Sequence, residues 1–105
     1  MTDDIAVEED SAIATLTRIK PPPFYRVDLL NDNFTTMDFV VMILQKIFKH
    51  NLEEAQRIML QIHNDGRGTC GVYTLDIAQT KVAQVKDLAQ KANFPLQCVI
   101  EKEKE

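Results

Sequence analysis

FYRVDLLNDNFTTMDFVVMILQKIF, residues Phe24 to Phe48, changes its hydrophobic period at its centre. Phe24 to Leu30 is rich in β-formers and roughly alternates, which predicts a strand with one face turned inward. Asn31-Asp32-Asn33 then supplies short polar side chains that bond their own backbone and stop the strand. Thr35 with Asp38 three residues on has the form of a capping box, and from Phe39 to Phe48 apolar residues cover nearly the whole circumference of a helix. A strand, a polar loop and a central buried helix in succession make this a mixed α and β fold.

Downstream, the same two periods alternate. Asn51 with Glu54 repeats the capping signal, Ala55, Met59 and Ile62 mark one face, and Gly66 offers a left-handed stop, so a second helix is predicted over roughly 51–65. Arg67 to Thr74 (RGTCGVYT) is short and β-prone, and Thr74 with Asp76 can cap a third helix. In that helix Ala78, Val82, Val85, Ala89 and Ala92 recur at three- and four-residue steps, small enough to lie close on a sheet. Pro95 introduces LQCVI, in which Leu96, Cys98 and Ile100 share a face, and Glu101 to Glu105 reads as a frayed, solvated end. The expected fold class is α+β: a two-layer β-α-α-β-α-β domain, its three-stranded sheet covered on one face by three helices.

Composition sets the limits. The 105 residues have room for one domain, and an apolar fraction of 45% is ordinary for a globular chain. Residues 1–17 hold Asp3, Asp4, Glu8, Glu9 and Asp10 with no base and few large apolar groups, so residues 1–20 are expected to be a disordered, flexible acidic extension. Pro21, Pro22 and Pro23 stiffen the chain where the core, 21–105, begins. The net charge of −4 argues against a nucleic-acid partner. Neither a signal-like apolar run nor a membrane-length segment is present, and Cys70 and Cys98 lack Cys-x-x-Cys spacing. Reduced thiols and a cytoplasmic location are the expectation.

Some residues do not fit a plain core. Asn31, Asp32 and Asn33 make either a turn with side-chain-to-backbone bonds or a place where carboxylate and amide oxygens converge on a cation. His63, four residues after Met59, either opposes the carboxyl end of its helix as a cation or offers a ring nitrogen on the same face. Met37 can be flexible filler. Lys81 falls inside an apolar arc with Ile77, Val85 and Leu88, where its stem can snorkel or its charge can meet a partner.

KPPPFYRVDLLNDNFTTMDFV, AQRIMLQIH, GTCGVYTLDIAQTKVAQV and PLQC, in this order between Lys20 and Glu101, resemble the ClpS family of Clp protease adaptors. The resemblance implies an adaptor, not an enzyme, with no cofactor and no metal, that works as a monomer. It would hold the free amino terminus of N-degron substrates and deliver them to the N-terminal domain of a Clp-family AAA+ ATPase of ClpA or ClpC type. By the same resemblance Asn31, Asp32 and His63 grip the α-amino group. Leu29, Thr35, Met37, Val40, Met59, Ile62 and Leu96 wall a pocket for a first residue such as Leu, Phe, Tyr or Trp, with Met37 excluding side chains branched at Cβ. Asp76 and Lys81 would contact the ATPase. The chain departs from many members at Asn33, where a second acid is common, and at Asp76, where a longer acid is common. The residues agree with this chemistry: an ammonium group has several N–H donors, and a carboxylate, an amide oxygen and a neutral imidazole are acceptors for it.

Two other classes were weighed. Catalysis would pair Asp32 or Cys70 with His63, or gather His50, His63, Cys70 and Cys98 around zinc, but no pair has ligand-like spacing and no glycine-rich phosphate loop is present. A small α/β interaction scaffold resembling the carboxyl-terminal domain of the ribosomal stalk protein is the alternative that fold alone leaves open.

Overall fold

A computed structural model describes residues 22–104, so the acidic extension expected over residues 1–20 lies outside the described residues. Six elements follow in the expected order: β1 (Phe24–Leu30), α1 (Met37–Lys46), α2 (Leu52–Asp65), β2 (Arg67–Thr74), α3 (Leu75–Lys91) and β3 (Gln97–Lys102). The sheet has the order β2-β1-β3, with β1 antiparallel to both neighbours. All three helices contribute to one core against one sheet face, which is the two-layer α+β architecture.

Alternation in β1 builds that core from the centre. Val27 and Leu29 are wholly buried beneath the helices, and they face Gly71 and Gly68 of β2 and Ile100 and Cys98 of β3. Burying such a branched side chain is worth about 1.5–3 kcal/mol. A bulge between Val27 and Asp28 leaves Cys70 as the extra residue of β2. Helix α3 lies along the whole width of the sheet through Ala78, Val85 and Ala89, with Val82 half-buried, while Ala92 is exposed at its end.

Several boundaries differ from expectation for identifiable reasons. The α1 N-cap is Thr36, whose hydroxyl accepts from the Phe39 amide at 3.1 Å. Thr35 lies one residue before that cap, and its hydroxyl is turned back to donate to Asp32 Oδ2 at 2.8 Å. The helix ends at Lys46, and Ile47 and Phe48 are buried just beyond it. Thr74 precedes α3 without a side-chain cap; its hydroxyl donates instead to Asp76 Oδ1 at 2.7 Å. Glu101 and Lys102 belong to β3 and are not a frayed end, because they pair with Arg26 and Tyr25 in the ladder.

Asp28 is an unforeseen buried residue. Its carboxylate is buried on β1 between Val27 and Leu29, on the face away from the helices. Arg67 donates to Asp28 Oδ2 through Nε at 3.0 Å and Nη2 at 2.7 Å, and Arg26 Nε lies 3.3 Å from the same oxygen. Glu101 pairs with both arginines, so the open sheet face is a charge ladder across all three strands.

Candidate functional site

The site forms where β1 ends. The Asn31 amide donates to the Gly66 carbonyl at 2.9 Å, which ties the loop after β1 to the end of α2. Gly66 adopts φ 90°, a left-handed conformation that a side chain disfavours, and its own amide donates to Ile62. The chain can therefore turn out of α2 at the point where the loop meets it. Gly68 completes the approach: a Cβ there would come within 2.8 Å of Ile62 Cγ1, so glycine lets α2 settle close on the sheet.

Asp32 organises the loop. Its Oδ1 accepts from the amides of Phe34 at 2.8 Å and Thr35 at 2.7 Å, and its Oδ2 accepts from the Thr35 hydroxyl. Burial pushes this carboxyl up as the largest single influence, yet the bonds from Thr35 and Phe34 together outweigh it and hold the group below its ordinary 3.8. Three of roughly four acceptor positions on a carboxylate are thus filled internally, and one lone pair and the full negative charge remain. The side-chain-to-backbone turn is the reading of this loop that is seen directly, and it does not use up the anion.

Between this loop, the start of α1 and the last turns of α2 is a cavity of about 250 Å3. Asn31, Asp32, Asn33 and His63 form its polar side, and Thr35, Met37, Val40, Met59 and Ile62 the remainder. Eight of the ten side chains expected at one pocket are brought together there. Leu29 and Leu96 are not on it: Leu29 is fully buried in the core below, and Leu96 lines a different groove with Val82, Lys86 and Cys98 between α3 and β3. Asn33, which the sequence marked as part of the polar cluster and as a departure from many family members, is on the cavity because it is the third residue of a tight loop whose polar side chains all flank it.

The two histidines have different surroundings. His50 is within 2.7 Å of the Cys70 carbonyl through Nε2 and ties the α1–α2 connection to β2. His63 is exposed on the last turn of α2, with its ring on the cavity. Both thiols are free, and burial raises Cys70 far above its usual range and Cys98 to about 12. Among the described residues, no group of three or more His, Cys, Asp or Glu is placed to hold a metal.

A second set of residues lies at the other end of the molecule. Asp76 is exposed in the first turn of α3, lowered from its ordinary value chiefly by the bond from Thr74. Val72, Leu75 and Ile77 around it are each more than 40% exposed, an apolar patch at the start of the helix. Lys81 is half-buried; its Nζ donates to the Ile47 carbonyl at 2.7 Å and lies 5.7 Å from the centre of the Tyr73 ring. The lysine on the apolar arc therefore satisfies the carboxyl end of α1, a role the helical wheel could not reveal because Ile47 is 34 residues away.

A small two-layer domain with an acidic and amide rim over an apolar floor has the form of a binding module. Its kind follows from comparison with known proteins. Residues 20–99 match the family model for the ATP-dependent Clp protease adaptor protein ClpS. ATP-dependent Clp protease adapter protein ClpS from Maricaulis maris is 55% identical over 103 residues, covering 96% of this chain and 94% of that protein. The Burkholderia thailandensis protein of the same name is 60% identical over 84 residues, covering 80% and 81%. The structure of Agrobacterium tumefaciens ClpS2 bound to L-phenylalaninamide superposes with a TM-score of 0.77 at 36% identity, covering 79% of this chain and all of that one. The chain belongs to the ClpS family. It is accordingly an adaptor of the Clp protease and not an enzyme.

Proposed function

We propose that this adaptor captures proteins by a free amino terminus whose first residue is bulky and hydrophobic, Leu, Phe, Tyr or Trp, and presents them to its Clp ATPase. The observation that carries this reading is the mixed character of one cavity: acceptors for an ammonium at Asn31, Asp32 and His63, beside an apolar floor of Val40, Met59 and Ile62. A cation held by charge-assisted bonds with its own side chain in an adaptable methionine-lined pocket is the chemistry of an N-degron. L-phenylalaninamide, found on the Agrobacterium relative, is a phenylalanine with its amino group free, which supports the same choice of ligand here. The adaptor acts as a cytoplasmic monomer, and docks through Asp76, Lys81 and the apolar patch at the start of α3 onto the N-terminal domain of a ClpA- or ClpC-type ATPase.

The test is a titration of a fluorescent peptide beginning with Phe against the same peptide acetylated at its amino terminus. Saturable binding that acetylation abolishes is expected, and equal binding of both peptides refutes amine capture. His63→Ala should weaken the free peptide by about 1.5–3 kcal/mol, the value of a charge-assisted bond, without changing the melting temperature.

A further inference from the structure

The loop that closes the cavity has a second side. A groove of about 350 Å3 there is lined by Leu30, Phe34, Pro95 and Gln97, and it shares the loop's three polar residues with the first cavity. Leu30 and Gln97 are partners in the β1–β3 register, so the groove is the open end of that strand pair. Phe34 stands over it and is 75% exposed, the most exposed large hydrophobic residue among those described. Its backbone is held nevertheless, because its amide and that of Thr35 are bonded to Asp32. An apolar ring on a pinned loop presents a preformed contact with little further ordering to offset.

We propose that Phe34 and this groove form a second subsite, which takes the side chain of the residue following the captured amino-terminal one and favours aromatic or long aliphatic groups there. The proposal rests on amine capture in the neighbouring cavity and adds to it. An extended chain advances about 3.3 Å per residue and turns successive side chains to opposite sides. With the first side chain directed into the cavity and the ammonium held at the loop, the second side chain is turned away from the cavity and across the loop toward Phe34. Leu30, Phe34 and Pro95 supply its apolar surface. Among the described residues, Asp32 is the only charged one lining the groove, so an acidic second residue meets repulsion there.

Peptides of the form Phe-Trp, Phe-Ala and Phe-Asp with a common polar remainder test this by fluorescence anisotropy. The Trp peptide should bind about three- to tenfold more tightly than the Ala peptide, the value of one partly buried aromatic contact, with the Asp peptide weakest. Phe34→Ala should bring Trp and Ala to the same affinity and leave Phe-Ala unchanged, and Phe34→Tyr should retain the preference. No Trp-over-Ala preference in the unaltered protein, or an equal loss for all three peptides in Phe34→Ala, overturns the subsite while amine-dependent binding of Phe-Ala stands. If acetylated and free Phe-Ala bind alike, amine capture itself is refuted and the subsite with it.

Discussion

Asp32 holds its loop together and, under the proposed function, also meets the substrate ammonium, and conditions that separate the two roles should be found by titration. Its charged form is favoured in the folded loop, because the bonds from Thr35 and Phe34 hold it below 3.8. A lowered acid stabilises the folded loop at pH values above its unfolded value, and that contribution disappears as pH falls through the folded one. The amide resonances of Phe34 and Thr35 should therefore be unchanged from pH 7 to 5 and move only below pH ~4. Asp32→Asn keeps one oxygen for the amides of Phe34 and Thr35 but removes the charge and the acceptor for the Thr35 hydroxyl, so it should weaken a Phe-starting peptide about tenfold or more and cost the fold about 1–2 kcal/mol without unfolding it. Loss of folding in this variant would make the residue structural first. Met37 poses the opposite case, a side chain on the cavity that is 45% exposed and free to move. A group branched at Cβ is wide next to the backbone, where the first residue of α1 meets it. Met37→Ala should admit peptides beginning with Val or Ile and leave Phe nearly unaffected, and an unchanged order of preference in the same assay would remove Met37 as the gate.

At the scale of elements, the close approach of α2 to β2 links stability to recognition. Gly68→Val would drive a branched side chain into Ile62, whose Cγ1 is already 2.8 Å from where a Cβ would lie, and Ile62 is also cavity floor. Overpacking of this kind costs about 1–3 kcal/mol, so the variant should unfold at lower denaturant and also bind Phe peptides less tightly. Reduced stability with unchanged affinity would show that the cavity tolerates displacement of α2. The order and type of all six elements were legible because each carries its own period and its own stop, as at Asn51 and Gly66. What escaped the sequence depends on partners far along the chain. The burial of Asp28 needs Arg67, 39 residues on, and the internal bond of Lys81 needs a carbonyl exposed only because α1 ends at Lys46. The cap at Thr36 rather than Thr35 likewise depends on the loop, where the Thr35 hydroxyl is turned back to Asp32. The cavity's polar group and most of its walls were legible through motif resemblance, whereas Leu29 and Leu96 were not separable from it until the faces of β1 and β3 were known.

For the whole molecule, β1 sets the distance between capture and delivery. Its last residue leads into the loop of the cavity, while its first, Phe24, pairs with Thr74 beside the start of α3, where Asp76 and the exposed Val72, Leu75 and Ile77 lie. Seven strand residues at about 3.3 Å each place these regions about 20 Å apart, so a substrate and an ATPase domain need not compete for the same surface. The acidic residues 1–17 join the domain at that same far end, through prolines that lead into Phe24. Five carboxylates lie in this segment, and the described chain begins next to the proposed docking patch rather than the cavity. The resemblance to the ClpS family implies that this extension helps transfer substrate to the ATPase. Removal of residues 1–17 should leave the affinity for Phe peptides and the binding of the ATPase domain unchanged, and should sharply slow degradation of a Phe-starting reporter by the complete protease. A Gly/Ser segment of equal length should restore most of the rate, because reach and freedom, not particular side chains, are what such a segment offers. Full degradation by the truncated protein would make the extension dispensable. Restoration only by the natural sequence would show that its carboxylates are recognised individually.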